Sequence, residues 1–238
     1  MVEIAICLAI IGIALVAIIG VLPLGMRTQG ENREKTVINQ DATVFIEAIR
    51  NGAFGADDLA NYVYAITNYQ TQYPPGTATT SSGYGGSFLT NGANIVGLLS
   101  TPEFVDTTNL LPIAANPNAN FFSNHVVAYV HSMSGPAIEK PPQDNSLLVQ
   151  DSFTYRIICE NLPLPVAANT AYTANLGVNL HELQLTFLWP QLPNGGIGRG
   201  LQTYRTLIAG QQALVVDSNT VPVVNLYYFQ PQSFTNAP

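Results

Sequence analysis

Apolar residues run without a charge from Ile4 to Met26. A stripe follows, in which Val37, Ile38, Ala42, Phe45, Ile46 and Ile49 recur at steps of three and four. The first pattern is that of a helix apolar on every side, the second that of a helix with one apolar face. Glu31 and Lys35 form an acid-to-base pair four apart in the favourable order. Asn51-Gly52 supplies a stop, glycine being suited to the left-handed position after a helix. One helix, or two nearly collinear ones, is expected from about Glu3 to Arg50, about 70 Å long. Pro23 removes one backbone bond inside it, so a kink or a locally extended stretch is expected near Pro23. Gly20 and Gly25 weaken the helix further on either side.

Beyond Gly52 the period of the C-terminal half is two. Ser152–Glu160 alternates, with Phe153, Tyr155, Ile157 and Cys159 on one face. Glu182–Trp189 alternates too, with Leu183, Leu185, Phe187 and Trp189 on one face. Pro193-Asn194-Gly195-Gly196 is a turn signal, and Leu201–Ile208 is the expected antiparallel partner after it. Val126–His131 and Val221–Phe229 are further strands. Thr77–Ser87, rich in Gly, Ser and Thr, reads as a loop, and Asn61–Tyr69 as a short helix packed on the domain. The class is α+β: a long N-terminal helix, residues 1–52, packed on an antiparallel β-sheet domain, residues 53–238.

Charge sharpens this division. Only 10% of the 238 residues are charged, and the balance of 8 basic against 15 acidic residues gives −7. High hydrophobicity with little charge excludes a disordered chain, and the acidic balance argues against nucleic acid as a primary partner. Ten of the chain's Asp, Glu, Lys and Arg residues fall between Arg27 and Asp58. There are none from Leu59 to Pro102, or from Thr107 to Ile138. The Ile4–Met26 run matches the roughly 20 apolar residues a bilayer requires. A cleaved signal peptide fits poorly, because the charge near the start is the acidic Glu3 and Leu22-Pro23-Leu24-Gly25 is a poor cleavage site.

No constellation points to catalysis. Cys7 and Cys159 lie in different regions and read as packing residues. His125 and His131, six apart on one strand, share a face without a third ligand at a telling distance, so both read as structural. His181-Glu182 begins a zinc-protease motif, but Leu185 stands where the second histidine is needed. Asp57-Asp58 suits the start of a short helix. Tyr62, Tyr64, Tyr69 and Tyr73 form a Tyr-rich stretch whose rings are expected to pack on the sheet with hydroxyls outward. No catalytic residue, cofactor or metal is expected, and no enzymatic activity.

Val2-Glu3-Ile4-Ala5-Ile6 followed by Leu8-Ala9-Ile10-Ile11-Gly12-Ile13 resembles the N-terminus of type IV pilins and type II secretion pseudopilins. The likeness covers roughly the first 50 residues. It implies storage in the inner membrane through the apolar helix, then helical polymerisation with these helices in the filament core. It also implies that the Glu3 carboxylate neutralises the N-terminal amine of a neighbouring subunit, with Met1 among the expected assembly residues. Two residues, Met1 and Val2, precede Glu3 where the family pattern has four. Gly12 and Pro23 fall where family helices lose regular structure in the filament. The implied partners are further copies of the chain and a pilus or secretion assembly machinery, and the implied location is a cell-surface filament. A minor pseudopilin and a non-polymerising membrane-anchored binding module are the alternatives.

Overall fold

The computed structural model describes residues 2–52, 56–73, 79–113, 120–133, 153–164, 179–192, 194–218, 223–231 and 233. The class is α+β, with an N-terminal apolar helix and a C-terminal antiparallel sheet. The chain divides into two units, Met1–Gln40 and Asp41–Pro238.

Helix α1 (Val2–Arg50) is unbroken. The locally extended stretch expected at Pro23 does not form. Proline withholds one N–H from the carbonyl four residues back, but the bonds on either side persist and the helix continues. The last turns of α1, which belong to the second unit, bury Ala42, Phe45 and Ile49 completely. These are the apolar stripe expected there. Arg50 holds Glu47 at 2.6 Å and donates to Thr206 Oγ1 at 3.1 Å. Gly52 ends the helix with φ +69°, and a Cβ there would stand 2.7 Å from the Phe229 carbonyl oxygen. Glycine is thus required both by conformation and by close approach.

The main sheet has the strand order β2-β1-β4-β5-β6-β7, with β3 also on β4, all antiparallel. Its strands are β1 (Val63–Tyr73), β2 (Thr79–Gly85), β3 (Phe104–Asp106), β4 (Phe121–His131), β5 (Thr154–Pro163), β6 (Leu180–Gln191) and β7 (Ile197–Ala209). β8 (Gln211–Asp217) and β9 (Val224–Gln230) form a separate two-stranded ribbon. β5 and β6 alternate as expected, burying Tyr155, Ile157 and Cys159 and then Leu183, Leu185, Phe187 and Trp189. The turn between β6 and β7 is closed by Asn194 Oδ1, which accepts from Gly196 N at 2.9 Å. Ser152, Pro193 and Val221 lie outside the described residues.

Two expectations are corrected. Asn61–Tyr69 is not a helix: a 3-10 turn over Asp57–Asn61 leads straight into β1. Val63, Tyr64, Ile66, Thr67, Tyr69, Thr71 and Tyr73 are β-branched or aromatic, a composition that suits a pleated half-buried surface. Pairing with β4 then decides the matter. The Gly/Ser/Thr-rich segment is not a loop throughout, because Thr79–Gly85 pairs with β1 as β2. Thr77 lies outside the described residues. Helix α2 (Gly92–Leu99) was not foreseen. Asn91 caps it by accepting from Ala93 N at 2.9 Å, and a Cβ on Gly92 would collide with the Ala56 carbonyl oxygen.

One sheet face is covered by α1, α2 and the β8–β9 ribbon. On it Phe45 meets Phe187 (ring centroids 6.4 Å apart), and Phe187 meets Tyr155 and Tyr204 at 5.5 Å each. His181 meets Phe229 at 5.3 Å. At the centre the fully buried Asp41 carboxylate accepts from Tyr155 Oη at 2.8 Å and from Met133 N at 3.0 Å. Leaving a buried acceptor without its donor costs about 1–3 kcal/mol, more than the net worth of the bond itself. Tyr155→Phe is therefore expected to destabilise the second unit by about 1–3 kcal/mol, read as a lower urea midpoint at unchanged slope.

Candidate functional site

The apolar part of α1 is built from exposed side chains. Every described side chain from Val2 to Leu22 is exposed, including thirteen large aliphatic ones. Ile10, Ile11, Ile13, Leu15, Val16, Ile18 and Ile19 cover every direction around the axis at 100° per residue. A helix apolar all round belongs in a membrane or in a core of other helices. Val2–Leu22 is long and apolar enough to cross a membrane, its 21 residues rising about 31 Å.

Glu3 lies in the first turn of α1 and is exposed. There it faces the unpaired N–H groups of the helix start, which favour an anion by about 0.3–1 kcal/mol and at most about 2. Desolvating a carboxylate costs several kcal/mol. The helix end alone therefore does not compensate Glu3 in an apolar setting; a cationic partner does. Gly12 has no atom within 4 Å of the place where a Cβ would stand, which leaves a notch on the helix surface. Pro23 sits within the helical run. Met1 lies outside the described residues. Glu3, Gly12 and Pro23 are strung along one helix and do not converge on a pocket.

The other residues of chemical interest fall in the second unit. Cys159 is buried, and burial, with Glu160 beside it, pushes its thiol up and out of nucleophilic range. Cys7, expected to pack, is exposed within its own chain. His125 and His131 share the sheet face opposite the end of α1, next to Tyr69 (6.3 Å) and Tyr64 (4.6 Å) respectively. Burial holds His131 below its ordinary pKa. His181 is buried on the opposite face. Among the described residues no three His, Cys, Asp or Glu side chains gather as a metal site would require. Asp57 and Asp58 form the first turn of their 3-10 segment, and the capping position is Ala56.

Glu103 carries a pH signature. Burial raises its pKa, and Glu160 raises it further. A carboxyl raised above its unfolded value supports the fold fully below about pH 4.3, and that support is lost as pH rises through the folded value. Glu103→Gln is expected to raise the melting temperature at pH 7 by about 1–3 °C. Partial exposure keeps the effect small, and the gain should vanish below about pH 4 in calorimetric scans. No family model matches the chain, and no curated protein or solved structure matches it.

Proposed function

We propose that this chain is a structural subunit of a type IV pilus-like filament, polymerising through its apolar N-terminal helix. The observation that carries the reading is the Val2–Leu22 surface, apolar on all sides and wholly unburied in the single chain. Burying an aliphatic side chain is worth about 1.5–3 kcal/mol. Thirteen of them represent on the order of 20 kcal/mol that the monomer does not realise in water. Lipid satisfies this surface before assembly, and neighbouring copies of the same helix satisfy it afterwards.

Two features favour copies over lipid as the final surroundings. Glu3 at the start of the apolar run requires a counter-charge, and a cationic group of a neighbouring subunit supplies one. Gly12 offers a neighbouring helix a close approach of the kind small residues give between apolar helices. The amphipathic continuation of the same helix into the second unit is also more than a single-pass anchor needs. In this reading the chain waits in the inner membrane, is handled by an assembly machinery, and ends in a cell-surface filament with the sheet unit outward.

Expression of the full chain with its assembly machinery should give ordered filaments by electron microscopy. Glu3→Ala should cut filament yield at least about tenfold, on the order of the loss of one buried ion pair, while the monomer still fractionates with membranes. Unchanged yield in the variant, or membrane-bound monomer alone in the wild type, would overturn the filament reading and leave an anchored binding module.

A further inference from the structure

The face of the main sheet opposite the end of α1 holds Tyr64, Tyr69 and Tyr73 of the Tyr-rich stretch, which polymerisation through α1 leaves unused. Directly opposed residues of a ladder share a face, so the register lays out that face in rows. One row runs Gly83, Thr67, Val127, Ile158 across β2, β1, β4 and β5. On one side of it stand Ala65 and Tyr129; on the other stand Ser81, Tyr69 and His125. The ladder shifts between Val63 and Ala65, and Tyr64 is the extra residue of that bulge. Its ring lies 4.6 Å from His131 and 6.1 Å from Tyr129, and its hydroxyl donates to Gln191 Oε1 at 2.9 Å. A bulge re-aims a side chain, and here it sets Tyr64 beside Tyr129.

Tyr129 and His125 are four residues apart on β4, about 13 Å. Between these aromatic crests runs the row Gly83, Thr67 and Val127, of small or β-branched residues, with Val127 buried. A Cβ on Gly83 would meet nothing within 4 Å, so the row is open at β2. Tyr64 is 41% exposed and Tyr69 is 39% exposed. The described contacts of α1, α2 and the β8–β9 ribbon with the sheet fall on the other face.

We propose that this row binds a neutral oligosaccharide laid across the strands between Tyr64/Tyr129 and Tyr69/His125. Charge selects the ligand class. β1, β2 and β4 contain no Asp, Glu, Lys or Arg, so the row offers an ionic ligand no counter-charge. Arg156, at the end of one crest, lies 4.9 Å over the Tyr129 ring and donates to the Gly195 carbonyl. The faces of aromatic rings are electron-rich and take the C–H face of a pyranose. Thr67, Ser81 and the tyrosine hydroxyls donate and accept alike, which matches a ligand whose own hydroxyls do both. An extended peptide adds to a sheet edge through its backbone rather than lying across a face.

The test uses the full chain, unassembled, in a detergent without a sugar headgroup. Cellohexaose, maltohexaose and xylohexaose are titrated by calorimetry, with a heparin hexasaccharide as the charged comparator. At least one neutral hexasaccharide should bind with Kd below about 1 mM, and Tyr69→Ala and Gly83→Val should each weaken it about tenfold or more. Gly83→Val should leave the melting temperature unchanged, and it decides the matter if Tyr69→Ala fails to fold. The proposal is overturned if none of the three binds, if neither variant weakens binding, if heparin binds more tightly, or if Tyr69 is shielded by self-association instead. Binding is read on unassembled chains, so its failure and a failure to form filaments are separate results.

Discussion

The seating of the last turns of α1 on the sheet is the contact on which the second unit depends. A single antiparallel sheet has two faces, and an apolar face must be covered. Ala42, Phe45 and Ile49 cover the centre of one, with Phe45 against Phe187 and Asp41 beneath Tyr155. α2 and the β8–β9 ribbon extend the cover, tied in where Asn161 Nδ2 and Gln212 Nε2 both donate to the Ser100 carbonyl. Three separate parts of the chain thus compete for one surface. The other face is left with tyrosines, threonines, histidines and a few half-buried aliphatics.

The low charge of the chain has two physical meanings. In the first unit it leaves Val2–Leu22 long and apolar enough to cross a membrane. In the second unit it is a surface furnished with neutral hydroxyl and amide groups in place of ions. That unit nevertheless holds twelve acidic against five basic residues, the whole of the chain's net −7, and charge ordinarily keeps soluble proteins apart.

Sequence patterns made part of this legible, for identifiable reasons. β5 and β6 could be read because one face of each is buried and the other is not, so Leu183, Leu185, Phe187 and Trp189 alternate cleanly, whereas β7 follows from the turn signal before it, its faces being half-buried and exposed apart from Ile208. α1 could be read because its apolar run and its stripe are both local signals. β1 was read as a helix because Ile66 is buried while Tyr64 and Tyr69 are exposed, and its bulge blurs the period of two. β2 could not be read, since Thr, Ser and Gly form a strand there only through pairing with β1. Glu3, Gly12 and Pro23 stand out through the likeness of the N-terminal motif, Glu3 bordering the apolar run and Gly12 and Pro23 lying within it. The aromatic face is invisible in it, because Tyr64 and His131 meet only once β1 has paired with β4.

The Asp41–Tyr155 contact also bears on how the chain is made. The two residues are 114 positions apart, and the ribosome adds about 5–20 residues per second. The carboxylate of Asp41 therefore waits on the order of ten seconds for the strand that receives it. The apolar run ahead of it emerges earlier still, when no sheet exists. Synthesis order thus leaves the helix complete while the sheet that seats its last turns is still being translated.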